Sequence, residues 1–275
     1  MTQLIDVHAH LETLKDLKII LLRAKEAGVS KIITCGSSIE WSRKCVDLAE
    51  NGSNLVEIYA CCGIHPQDGK EELESLGSGY IDQLRQLVDS SKKVVAIGEC
   101  GLDYGLKTDN GQMTTDEKEF QKKLFQEQVN LASELKLPIV IHCRNAWSDL
   151  LDILSDVSGQ MSVVRGMFHS WTGSLNDAKR AIALGFYISF SGILTFKNAG
   201  EIVDVAKWAP EDRILVETDT PFLTPIPLRG KQNEPKNVRI TVQFLAELRG
   251  KSLDTIAEAT TRNAENLFNL ENSKH

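Results

Sequence analysis

The chain has six histidines, and five of them stand directly behind short apolar runs. His8 and His10 follow Leu4-Ile5-Asp6-Val7. His65 follows the run Val56 to Cys62, His142 ends the run from Ile139, and His169 follows the run Val163 to Phe168. Only His275, the last residue, lies outside this pattern. On an extended strand, residues i and i+2 point the same way, so both imidazoles of His8-Ala9-His10 can reach one cation. Two acids occupy equivalent places: Glu99 follows Val94-Val95-Ala96-Ile97-Gly98, and Asp219 follows Ile214-Leu215-Val216-Glu217-Thr218. A single strand-end acid is ordinarily a helix cap, and a single His-x-His pair says little. Four strand-end histidines (His8, His10, His142, His169) with two strand-end acids make a nitrogen and oxygen donor set. Such a set suits zinc, manganese or a similar borderline ion, or magnesium where carboxylates dominate.

The set is large enough for two divalent ions with one carboxylate shared. Two such ions bring four positive charges and two carboxylates cancel two, leaving a positive well that attracts phosphate or steadies a developing oxyanion. Arg144 lies two residues past His142, and Arg229, Lys231 and Lys236 surround the loop after Asp219. An arginine fork grips phosphate in bidentate fashion; the ordinary alternative for each cation is a solvated surface charge. Tyr104, Trp147, Trp171 and Phe222 also lie near the run ends, where they either pack the rim or stack a terminal base. Histidine ligands must be neutral, so metal affinity is expected to fall below about pH 6.

These side chains need a scaffold that gathers strand ends on one face. Eight short apolar runs fall at Leu4–Val7, Lys31–Cys35, Val56–Cys62, Val94–Ile97, Ile139–His142, Val163–Phe168, Phe186–Phe190 and Ile214–Val216. Helical stretches separate them. Leu14, Leu17, Leu21 and Ala24 recur at steps of three and four, with Gly28 behind them as a C-cap. Further helices are read at Trp41–Glu50, Phe120–Lys136 and Leu253–Phe268. Strands alternating with helices imply a parallel sheet. Eight units in 275 residues imply an α/β chain folded as a (β/α)8 TIM barrel, a single domain over residues 1–275. In such barrels the C-terminal strand ends carry the active site. The polar insert Gly105 to Thr115 reads as a loop at that mouth.

The composition, 42% hydrophobic and 25% charged, is that of an ordinary globular enzyme. The net charge of −7 argues against a broad basic face that coats nucleic acid. No basic start with an apolar stretch behind it is present, and no apolar run approaches the roughly 20 residues of a membrane span. A cytoplasmic protein is therefore expected, with no membrane and no obligate protein partner. The six cysteines show no framework spacing and read as buried reduced thiols. Phosphate-loop, nucleophile-elbow, His-Glu-x-x-His and dinucleotide-binding motifs are absent from the sequence.

Several segments together resemble the TatD-type deoxyribonucleases of the amidohydrolase superfamily. They are Asp6-Val7-His8-Ala9-His10-Leu11, Gly63-Ile64-His65-Pro66, Gly98-Glu99-Cys100-Gly101-Leu102-Asp103 and the stretch Pro138 to Ala146. Glu217-Thr218-Asp219-Thr220-Pro221-Phe222-Leu223, the stretch Arg229 to Val238 and the tail Thr260 to Phe268 complete the likeness, which runs end to end. The resemblance implies a binuclear metal site and hydrolysis of DNA phosphodiesters, often as a 3′-to-5′ exonuclease. Carried over, the metal ligands are His8, His10, Glu99, His142, His169 and Asp219, with Glu99 bridging. Asp219 also accepts the proton of the attacking water. His65, Arg144 and Arg229 surround the substrate, with His65 and Glu99 joining Asp219 in catalysis. The segment Phe168-His169-Ser170-Trp171-Thr172-Gly173 and the length of the insert depart from the family pattern.

The leading expectation is a metal-dependent DNase with two Mg, Mn or Zn ions, acting from single-stranded 3′ ends. The alternative is an amidohydrolase that opens a small amide or ester with the same ions. A third reading, a binding module with structural metal, suits closed sites better than the open mouth of a barrel.

Overall fold

Apolar runs alternating with amphipathic stretches become, in this computed structural model, eight parallel strands paired in sequence order. The structure describes residues 2–105, 113–158 and 164–270. The strands are β1 (Leu4–Ala9), β2 (Val29–Cys35), β3 (Glu57–Cys62), β4 (Val94–Asp103), β5 (Ile139–Arg144), β6 (Gly166–Phe168), β7 (Tyr187–Phe190) and β8 (Ile214–Val216). The helices are α1 (Leu17–Glu26), α2 (Ile39–Asn51), α3 (Gly69–Leu76), α4 (Tyr80–Asp89), α5 (Thr115–Leu135), α6 (Trp147–Ser158), α7 (Leu175–Ala183), α8 (Glu201–Trp208), α9 (Val238–Arg249) and α10 (Leu253–Phe268). This is the expected (β/α)8 barrel. Its seam is closed just beyond β8, where Asp219 N donates to the His8 carbonyl at 2.9 Å and His10 N donates to the Thr220 carbonyl at 2.7 Å.

The core has two layers. Ile5, Val7, Ile33, Tyr59, Val140 and Leu215 belong to an inner cluster, which Leu267, Phe268 and Leu270 join from the end of α10. Asn263 of that helix donates to the Ile214 carbonyl at the start of β8, so α10 stoppers the foot of the barrel and leaves the mouth clear. The outer layer packs the other strand faces against the helices. Thr114 and Glu117 form a reciprocal capping box that starts α5, a device worth about 1 kcal/mol. All six cysteines are buried and free. No helix among the described residues is long and apolar enough to cross a membrane.

Three details differ from the sequence reading. Two helices, α3 and α4, follow β3 rather than one. β4 runs ten residues, through Asp103, because its second half pairs with β5 from Cys100 to Asp103. β6 begins at Gly166, while Val163 lies outside the described residues. So do residues 106–112 of the insert and His275.

Candidate metal centre

The seam places the first donors. Asp6 is fully buried, and its carboxylate accepts from Thr218 N at 2.8 Å and Thr218 Oγ1 at 2.5 Å. That clasp holds the end of β8 beside β1. The register of β1 shifts between Asp6 and Ala9, and Asp219 takes a left-handed φ of 57°. A non-glycine residue held there stores strain, which commonly marks functional positions. His8 Nε2 then lies 3.3 Å from His10 Nε2, and the two are 3.6 and 3.5 Å from Asp219 Oδ1.

β4 supplies the shared acid. Gly98 and Gly101 have φ of +139° and +149°, and a Cβ on them would stand 2.5 Å from Val140 O and 1.9 Å from His142 O. Only glycine permits that backbone and that closeness. The register against β5 slips between Ile97 and Cys100, and Glu99 turns into the mouth. Its Oε2 is 3.4 Å from His8 Nε2 and 3.6 Å from His10 Nε2. Its Oε1 is 2.9 Å from His169 Nε2 and 3.1 Å from His142 Nδ1, which are 3.2 Å from each other.

A cation ligated at about 2.0–2.2 Å needs donors roughly 3.3–3.6 Å apart in a tetrahedron. The first nest is of that size, with donors 3.3–3.6 Å apart, the second is tighter at 2.9–3.2 Å, and Glu99 gives one oxygen to each. In three of the four histidines the opposite ring nitrogen is occupied in a way that frees these donors, while His8 Nδ1 is buried without a hydrogen-bond partner. His10 Nδ1 meets the Cys35 carbonyl at 2.8 Å, His142 Nε2 meets Asp103 Oδ2 at 3.3 Å, and His169 Nδ1 meets Glu217 Oε1 at 3.3 Å. An acceptor behind one nitrogen keeps the proton there and turns the other lone pair toward an ion. The residues present therefore fit a pair of divalent ions. His65 is arranged otherwise. Its Nδ1 accepts from Gln67 N at 3.2 Å, so the proton resides on Nε2, 3.6 Å from Glu99 Oε1. His65 is a donor at the edge of the cluster.

A family model described as TatD related DNase matches residues 5–269. The chain belongs to the TatD family of metal-dependent hydrolases. The metal-dependent hydrolase YabD of Bacillus subtilis (strain 168) is 38% identical to this TatD-family chain over 270 residues, covering 97% of it and 99% of YabD. The 3′-5′ ssDNA/RNA exonuclease TatD of Pectobacterium parmentieri is 31% identical over 261 residues, covering 93% and 94%. Among solved structures, the TatD homologue YjjV of Escherichia coli K12 superposes with a TM-score of 0.85 at 32% identity, covering 98% and 99%.

Charge in this TatD-family site is strongly coupled. Burial alone would discharge His10 and His169, but Asp219 and Glu12 on one, and Glu99 and Glu217 on the other, hold both well above the usual histidine value. Burial likewise opposes charge on Glu99, and the surrounding histidines hold it well below the usual range. His65 goes the other way: burial outweighs Glu99 and pushes it down to about 3, so it stays neutral. With no cation, the acids recruit protons onto the histidines; a divalent ion replaces those protons.

Sequence reasoning missed Asp103, Glu217 and Glu12. Each stands behind a histidine rather than beside another acid. Glu217 is two residues before Asp219, and the same alternation argument that joined His8 to His10 would have found it. These extra carboxyl groups shrink the positive well that counting only Glu99 and Asp219 implies. At the rim, Arg144 is exposed with its side chain against Gly105, and Arg229 is exposed over the Phe196 ring, its Cζ 4.1 Å from the centroid. Among the described residues, neither forms a hydrogen bond or ion pair with the clustered histidines and acids. Lys231 is exposed, whereas Lys236 pairs with Glu234 at 3.2 Å. Trp171 is fully buried against Trp147 and Phe168, so it packs the rim and stacks no base.

Proposed function

We propose that this chain hydrolyses DNA phosphodiesters with two divalent ions (Mg, Mn or Zn), as a 3′-to-5′ exonuclease that prefers single strands. The observation that carries this reading is the division of Glu99, one oxygen to each nest. His8, His10, Glu99 and Asp219 would hold one ion, and Glu99, His142 and His169 the other. When bound, such a pair supplies Lewis acidity that polarises the phosphodiester and makes water a nucleophile at neutral pH.

The chain's own groups do the rest. Asp219 is kept ionised because the contact with His10 and the nearby histidine charges outweigh its burial. It can therefore take the proton of the attacking water on a carboxylate oxygen. His65 offers its Nε2 proton to a phosphate oxygen, and being neutral it cannot repel a cation. Arg144 and Arg229 lie on the rim with exposed guanidinium groups suited to the next phosphates. With a net charge of −7, affinity for DNA must come from these few contacts, which favours a chain end over a long duplex track. The name of the 31% identical relative points the same way.

Activity should vanish after exhaustive chelation and return with Mg, Mn or Zn. The restored enzyme should cut linear single-stranded DNA well, linear duplex less well, and covalently closed circles hardly at all. Equal cutting of circles and linear single strands would refute an end-dependent mode. The acidic surface favours a second reading, a small amide or ester substrate. On that reading Arg144→Ala and Arg229→Ala would leave turnover intact.

A further inference from the structure

Phe222 is the most exposed large apolar side chain among the described residues, at 58%, and it stands at the mouth. Its ring centroid is 6.0 Å from that of His10, in the first nest. The loop does not leave it there by slackness. Phe222 N donates to the Asp219 carbonyl at 2.7 Å, and its own carbonyl accepts from Asn233 Nδ2 at 2.7 Å. Asn233 is fully buried, and the same Nδ2 also donates to the Thr218 carbonyl at 2.9 Å. The strut that shapes the end of β8 thus fixes Phe222, and an apolar ring that burial would favour is held in water.

The other mouth aromatics are engaged. Trp171 is buried, Trp147 packs against it at 4.2 Å between centroids, and Tyr104 donates to Asp149 with Lys118 over its ring at 4.8 Å. Phe222 is the one whose ring is held out to solvent.

We propose that Phe222 is the stacking platform for the nucleobase attached to the scissile phosphate. This rests on the nuclease reading above. A phosphate gripped between the two nests has its base one sugar away, and an exposed ring beside the first nest, carried on a pinned backbone, meets that base. Stacking is indifferent to base identity, because every base has a π-face. Phe222 therefore sets a preference for nucleotide ends without setting sequence.

The test compares two oligothymidylates, one intact and one abasic at its 3′-terminal nucleotide, with the metal-loaded wild type, Phe222→Ala and Phe222→Trp. The wild type should show a KM roughly tenfold higher for the abasic substrate, with kcat less affected. Phe222→Ala should raise KM about tenfold for the intact oligomer and leave the abasic value unchanged, while Phe222→Trp keeps the wild-type discrimination. An equal rise for both substrates in Phe222→Ala would overturn the proposal and make Phe222 a structural residue. A wild type that cuts neither oligomer overturns the nuclease reading itself, and the base platform with it.

Discussion

Asp103 shows how much of this centre depends on groups that touch no ion. Its Oδ2 stands 3.3 Å from His142 Nε2 and accepts from Gln67 Nε2 at 2.9 Å, while Oδ1 accepts from Gly105 N at 2.8 Å. Burial opposes its charge, but the contacts with His142 and Gln67 hold it down to about 2. It therefore acts as a fixed anion that keeps the His142 proton on Nε2 and leaves Nδ1 for the second nest. Removing such a partner ordinarily costs 10–100-fold in metal affinity. Asp103→Ala should lose about that much for one of two ions in calorimetric titration, with an unchanged circular dichroism spectrum. Loss of both ions, or of neither, would contradict the division into two nests. The strand-end histidines were legible because few residue types share their chemistry. Asp103 was not, since an acid near a strand end serves equally well as a cap; Glu217 could be reached only through its spacing of two from Asp219.

At the level of elements, the alternation of runs and helices revealed eight strands and their order, because a buried parallel strand is a continuous apolar block. It did not reveal the length of β4. A glycine-flanked polar stretch reads as a loop, yet here the backbone bends at Gly98 and Gly101 and goes on pairing with β5. The bend is what aims Glu99. Gly98→Ala forces a Cβ to within 2.5 Å of Val140 O at a φ of +139°. We expect it to lower stability by about 1–3 kcal/mol in urea titration and to reduce metal content. Gly79→Ala, with φ of −80° and no atom within 4 Å of the added carbon, should change neither. Equal behaviour of the two variants would show that the bend carries no load.

Taken whole, the molecule couples protons to metal. His10, His142 and His169 all have their affinity for protons raised by neighbouring acids, against the effect of burial. In the metal-free protein they hold protons at pH values above the ordinary histidine value of about 6.5. Each ion must displace protons, so affinity should weaken steadily from pH 8 to 6, well before the pH 6 threshold that free histidine suggests. His65 stays neutral over that range and adds nothing to the slope. Competition with a chromophoric chelator would measure this, and a flat profile between pH 8 and 6 would contradict it. The closed seam has a consequence in time. Asp6 and Thr218, which clasp the first nest, are 212 residues apart. At roughly 5–20 residues per second, a ribosome delivers the second about ten to forty seconds after the first. Glu99, His142 and His169 emerge earlier, so a nascent chain can assemble the second nest while the first still waits for its last strand. If the chain takes two ions as proposed, their loading during synthesis would follow the order in which the donors emerge.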